Sequence, residues 1–63
     1  MPFVSIKIAK GHSKDQKRRL VRSVTDAIAR SIDVPAEIIW VQIDEFKPEN
    51  FAVSGWLMAD KDR

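Results

Sequence analysis

The sequence predicts an α+β chain: a β-α-β subunit with parallel strands, followed by a C-terminal β-hairpin. Three observations carry that prediction. An alternating apolar segment opens the chain, a capped helical stripe follows it, and a second alternating segment comes after the helix. Residues Phe3–Ala9 place Val4, Ile6 and Ile8 on one side and Ser5 and Lys7 on the other, the pattern of a strand with one apolar face. Gly11 interrupts it. Ser13 and Gln16 then stand at capping-box spacing, where the hydroxyl and the amide satisfy backbone N–H groups that a helix start leaves orphaned.

The helix that follows carries Leu20, Val21, Val24, Ala27, Ile28 and Ile32 as one apolar stripe. Its other face holds Lys14, Lys17, Arg18, Arg19, Arg22, Asp26 and Arg30, with Asp15–Arg19 and Arg22–Asp26 spaced for ion pairs. The helix is expected to end near Asp33, because Pro35 disfavours helical geometry at Val34. Residues 38–46 form the second strand, with Ile39, Val41 and Ile43 on one face and Trp40, Gln42 and Asp44 on the other. A helix of about 20 residues between two strands makes a parallel, right-handed crossover the expected connection. Residues 47–50 read as a turn, 51–58 as a short hairpin or two edge segments about Ser54-Gly55, and 60–63 as a frayed end.

Composition bounds the rest. At 63 residues the whole chain, 1–63, reads as a single domain, and a domain of that size buries only about 60% of its unfolded surface. There is no cysteine, hence no disulfide or thiolate metal site, and one histidine cannot anchor a metal alone. Yet 44% of residues are hydrophobic, including two tryptophans and three phenylalanines, more than so small a core absorbs. The expectation is a homo-oligomer: two copies pairing into a four-stranded sheet with two helices on one face, and dimers associating further to cover the opposite face. The net charge of +2 with 32% charged residues gives a mixed surface. The basic run 14–22 has no interleaved aromatic residues, so a solvated helix face is expected rather than a nucleic-acid site. No apolar run approaches the ~20 residues of a membrane span and no signal-peptide pattern opens the chain, so a cytoplasmic protein is expected, with neither membrane nor nucleic-acid partner.

Phosphate-cradling glycine loops, catalytic triads and zinc-ligand clusters are all missing from the sequence, so any chemistry rests on few groups. Pro2 is the foremost of them. As a structural residue it simply starts a strand, where a missing N–H costs nothing. As a functional residue, with Met1 trimmed away, it supplies a secondary amine that serves as a general base once an apolar pocket or nearby cations lower its pKa. Its enclosure would require neighbouring subunits. His12 reads either as a loop residue or as an anion contact, and Trp40 and Trp56 as packing residues.

Taken together, the chain resembles the tautomerase superfamily, specifically the short 4-oxalocrotonate tautomerase group. The resemblance rests on Met1-Pro2, the first strand, Gly11-His12-Ser13-Lys14-Asp15-Gln16-Lys17-Arg18, Val24-Thr25-Asp26-Ala27-Ile28, Asp33-Val34-Pro35, and Asn50-Phe51-Ala52-Val53-Ser54-Gly55. It implies a hexamer built as a trimer of dimers, with Pro2 as the catalytic base moving a proton between carbons of a small unsaturated 2-oxo or enol acid, and with no cofactor or metal. It implies Phe51 as the aromatic that lines the pocket, with Ala9 and Val53 also at pocket positions. Where the best-known members carry two carboxylate-binding arginines, this chain has His12 and Trp40. Histidine is only partly charged near neutrality and tryptophan donates a single N–H. A monoacid or a more apolar carbonyl compound is therefore expected in place of a dicarboxylate, packed against Phe51 and Trp40 and contacted by His12. Two alternatives stand beside this. One is a proline-based hydratase, dehalogenase or decarboxylase, with Asp44 or Glu45 placing water. The other is a catalytically weak subunit of a hetero-oligomer.

Overall fold

The computed structural model describes residues 1–60. Strand β1 (Phe3–Ala9) leads through Gly11 into helix α1 (Lys14–Ile32), a 3-10 turn (Ala36–Ile38) and strand β2 (Trp40–Phe46). A second 3-10 turn (Pro48–Asn50) precedes the short strands β3 (Ala52–Val53) and β4 (Trp56–Leu57), and a last turn covers Met58–Asp60. β1 and β2 pair in parallel, with Phe3 opposite Trp40, Ile6 opposite Ile43 and Ala9 opposite Phe46. β3 and β4 form the expected antiparallel hairpin.

Local chemistry sets each boundary. Ser13 Oγ accepts from the Gln16 N–H at 3.1 Å while the Ser13 N–H donates to Gln16 Oε1 at 2.8 Å, the reciprocal capping box read from the sequence. At the other end Asp33 adopts a left-handed conformation (φ 56°), and its N–H returns to the Ala29 carbonyl. That residue, as much as Pro35, stops the helix.

Three expectations need correction. The second strand starts at Trp40 and not at residue 38, because Ala36–Ile38 winds into a 3-10 turn whose N–H bonds at Ile38 and Ile39 point back to Pro35 and Ala36. Arg18, three residues from Asp15, takes its carboxylate at 2.6 Å in place of Arg19. Arg22 and Asp26 make no ion pair among the described residues. Of the anticipated end 60–63, Asp60 belongs to the last turn and 61–63 lie outside the described residues.

The helix covers one face of the sheet, where Leu20, Val21, Val24 and Ile28 meet Val4, Ile6, Ile8, Val41 and Ile43, all half-buried. Ala27 and Ile32 of the expected stripe remain exposed. No described side chain is fully buried. The accessible surface is 5189 Å², whereas a compact monomer of 7.2 kDa presents about 4,100 Å². The Cα radius of gyration, 15.0 Å, likewise exceeds the roughly 11 Å of a compact chain this long. The excess lies in the uncovered sheet face and in the C-terminal arm, where Phe51, Val53, Trp56 and Leu57 are all exposed.

Candidate active site

The open face of the sheet has apolar ends and a polar middle. In the middle, Asp44 accepts from Gln42 Nε2 at 2.9 Å and from Ser5 Oγ at 3.5 Å, with Lys7 Nζ 3.8 Å away. At one end Phe3 and Trp40 set their rings 6.4 Å apart, tilted by 47°, and both are more than half exposed. Pro2 lies at this end. Its carbonyl accepts the Trp40 backbone N–H at 3.1 Å, which ties the residue to the sheet, while its ring nitrogen has no proton to give to the ladder.

At the other end Phe46 and Phe51 pack with centroids 5.0 Å apart and a tilt of 34°. With Ala9, Pro48 and Met58 they line a cavity of about 150 Å³. The arm returns to this cavity through a 2.8 Å bond from the Met58 N–H to the Phe51 carbonyl. The two ends are six strand residues apart, about 20 Å at 3.3 Å per residue. One chain therefore holds Pro2 and Trp40 together and Phe51 elsewhere.

His12 occupies the helix side of the second end, in a cavity of about 290 Å³ shared with Ile8, Gln16, Lys17 and Leu20. Beside it Lys17 Nζ meets Glu45 Oε1 at 2.8 Å. The hydrogen bond from Lys17 holds the Glu45 carboxyl below its ordinary range; partial desolvation opposes this, and the charges of Lys17, Lys10 and His12 reinforce it. Glu45 and Asp44 are thus each held by partners. Val53, expected at the pocket, is not among the cavity residues. Phe46 and Met58 are, and neither was singled out from the sequence. Phe46 was within reach, since it continues the alternation of Trp40, Gln42 and Asp44. Met58 depends on how the arm folds back, for which the sequence carries no local signal.

Comparison with known proteins agrees with this architecture. Residues 2–61 match the family model for tautomerase enzymes. The chain belongs to the tautomerase family. A probable tautomerase of Listeria innocua is 40% identical over 60 residues, covering 95% of this chain and 98% of the relative. The 2-hydroxymuconate tautomerase of Bacillus subtilis is 37% identical over 60 residues, covering 95% and 97%. Among solved structures, a heterohexameric 4-oxalocrotonate tautomerase from Chloroflexus aurantiacus superposes with a TM-score of 0.91 at 33% identity, covering 95% of this chain and 97% of that one. The β-α-β subunit with its C-terminal hairpin is thus the fold of this family, and its members include oligomers.

Proposed function

We propose that this chain is an oligomeric, cofactor-independent tautomerase of small unsaturated 2-oxo or enol acids, with Pro2 as its general base after removal of Met1. The observation that carries the reading is the anchoring of Pro2. Its carbonyl is fixed to the sheet by the Trp40 N–H, so a freed amine at the ring nitrogen would be held at a defined place beside Phe3 and Trp40. A base needs that positional definition before its pKa matters.

A two-fold pairing of antiparallel copies completes the site. It brings the Pro2 end of one protomer beside the Phe51 end of its partner, so the amine of one chain faces the aromatic wall of the other. A dry wall disfavours the ammonium form and lowers the amine pKa toward neutrality. The neutral amine takes the proton of the enol 2-hydroxyl, the O–H pair becomes the carbonyl, and the carbon–carbon double bond takes the proton back from the prolinium. Phe51 of one chain and Trp40 of its partner flank the substrate, while His12 lies on the helix side of the sheet, apart from that space. The heterohexameric assembly of the Chloroflexus relative supports a hexamer here, a trimer of such dimers, and the 2-hydroxymuconate tautomerase of B. subtilis supports the substrate type.

The test is steady-state kinetics on protein whose mass shows Met1 removed, with 2-hydroxymuconate and phenylenolpyruvate as substrates. Pro2→Ala replaces the secondary ring amine by a primary one, and a general base of this kind contributes about 10²–10⁴-fold. A drop in kcat of that order is expected, and equal rates for the two proteins would eliminate Pro2 as the base.

A further inference from the structure

Trp40 has a fixed backbone and a loosely held side chain. Its N–H donates to the Pro2 carbonyl at 3.1 Å, but the indole is 55% exposed and its own N–H meets no acceptor among the described residues. Its polar neighbours on the same sheet face are already committed. Gln42, the next residue of β2 on that face, turns its amide to Asp44 at 2.9 Å, and Ser5, diagonal to Trp40, gives its hydroxyl to the same carboxylate. Phe3 is what remains. It stands directly opposite Trp40 in the parallel register, on strands about 4.8 Å apart. Their ring centroids are 6.4 Å apart with a tilt of 47°, inside the roughly 4.5–7 Å range of favourable aromatic pairs. Phe3 is itself 60% exposed and lies on the face away from the helix, where Val4, Ile6 and Ile8 pack. A large apolar ring in that place is spent on Trp40 and not on the contact between helix and sheet.

We infer that Phe3 is a positioning residue: it sets the side-chain conformation of Trp40, and through it the wall against which the substrate lies beside the Pro2 amine. The inference rests on the proline-base reading for the reaction, but the ring pair stands on its own geometry. An indole with free side-chain torsions has to be ordered at each binding event, whereas one already seated against Phe3 is ordered before the substrate arrives. Trp40 flanks the substrate and its transition state alike, so loosening it weakens both equally and falls on KM, with kcat kept. A ring pair of this kind biases an equilibrium by about 2–10-fold.

The experiment uses the assembled, Met1-trimmed protein, with assembly of each variant checked by sedimentation. Steady-state kinetics with 2-hydroxymuconate compare wild type, Phe3→Ala, Phe3→Tyr, Trp40→Ala and the variant carrying both alanines. In parallel, time-resolved fluorescence anisotropy follows Trp40 in a Trp56→Phe background, which leaves it the one tryptophan of the chain. Phe3→Ala should raise KM about 2–10-fold with kcat kept, and the indole should gain fast local motion. Phe3→Tyr, which retains the ring, should restore both. In the Trp40→Ala background Phe3→Ala should leave KM unchanged, because a residue that acts through another has no effect once the other is gone. Phe3→Leu, apolar but without a ring, carries the same expectations if Phe3→Ala does not assemble. A KM unmoved by loss of the Phe3 ring, an equal rise with and without Trp40, or indole motion indifferent to Phe3 overturns the positioning role. Failure of the base is separately visible: a kcat that survives Pro2→Ala removes the proline chemistry, while the anisotropy of Trp40 still reads the ring pair.

Discussion

Dilution is the perturbation that most directly probes this molecule, because a chain with no fully buried side chain among its described residues has little to keep it folded alone. The excess of surface over a compact monomer is about 1,100 Å² per chain, and two chains removing it would bury about 2,200 Å², above the usual 1,600 Å² of a stable interface. Folding and association are then one equilibrium, and stability follows protomer concentration. Each tenfold dilution costs about 1.4 kcal/mol per association step. Shared over a dimer that is about 0.7 kcal/mol per chain, and over the five steps of a hexamer about 1.2 kcal/mol. For a domain near 60 residues, 1 kcal/mol moves Tm by about 4–8 °C. Circular-dichroism melts at 1, 10 and 100 μM protein should therefore step by about 3–6 °C per decade for a dimer and about 5–9 °C for a hexamer. Sedimentation at the same concentrations identifies which. A Tm independent of concentration, with a monomer throughout, would refute the reasoning. It would also leave Pro2 about 20 Å from Phe51, too far to share a substrate.

Three further outcomes follow from particular contacts. Ser13→Ala removes the hydroxyl that accepts the Gln16 N–H, while the bond from the Ser13 backbone N–H to Gln16 Oε1 stays open to it, and should cost about 1 kcal/mol in chemical denaturation, with Ser13→Gly costing only a few tenths. Asp33→Gly should stabilise by about 1 kcal/mol, since glycine accepts the left-handed φ of 56° without strain and removes a negative charge from the helix C-terminus. The Glu45 carboxyl, held low chiefly by the hydrogen bond from Lys17, adds stability that is fully present above the ordinary glutamate value and is lost as pH falls below it through the lowered one. Glu45→Gln should therefore denature more easily than wild type at neutral pH, and the gap should close in acid.

Much of the fold was legible because the relevant signals are local. The alternation in Phe3–Ala9, the Ser13/Gln16 cap and the glycine-containing turn at Ser54-Gly55 each constrain a few neighbouring residues, and each was found in place. The second strand was read two residues too long because Ile38 and Ile39 are β-branched and apolar, while the 3-10 turn after Pro35 is held by backbone bonds that composition does not report. Arg18 displaced Arg19 as the partner of Asp15 because both spacings are open to a helical pair and rotamer choice decides between them. The candidate site was the least legible part. Pro2, Trp40, His12 and Phe51 were all named, and the expected parallel pairing already puts Pro2 and Trp40 at the strand starts and His12 and Phe51 past the strand ends, roughly 20 Å away. What no local signal carries is the return of the arm that sets Met58 against Phe51.

The hairpin that follows Phe51 contains only two residue pairs, Ala52 with Leu57 and Val53 with Trp56. Its turn holds Ser54 at φ 55° and Gly55 at φ 85°. A ribbon so short has scant cohesion in water, yet it connects Phe51 to Met58, two walls of the aromatic cavity. The Pro2 end of the sheet is braced by the parallel ladder, while the Phe51 end depends on this two-pair ribbon. In the proposed pairing, substitutions in that loop would reshape the wall that one chain presents to its partner while leaving the Pro2 amine itself untouched.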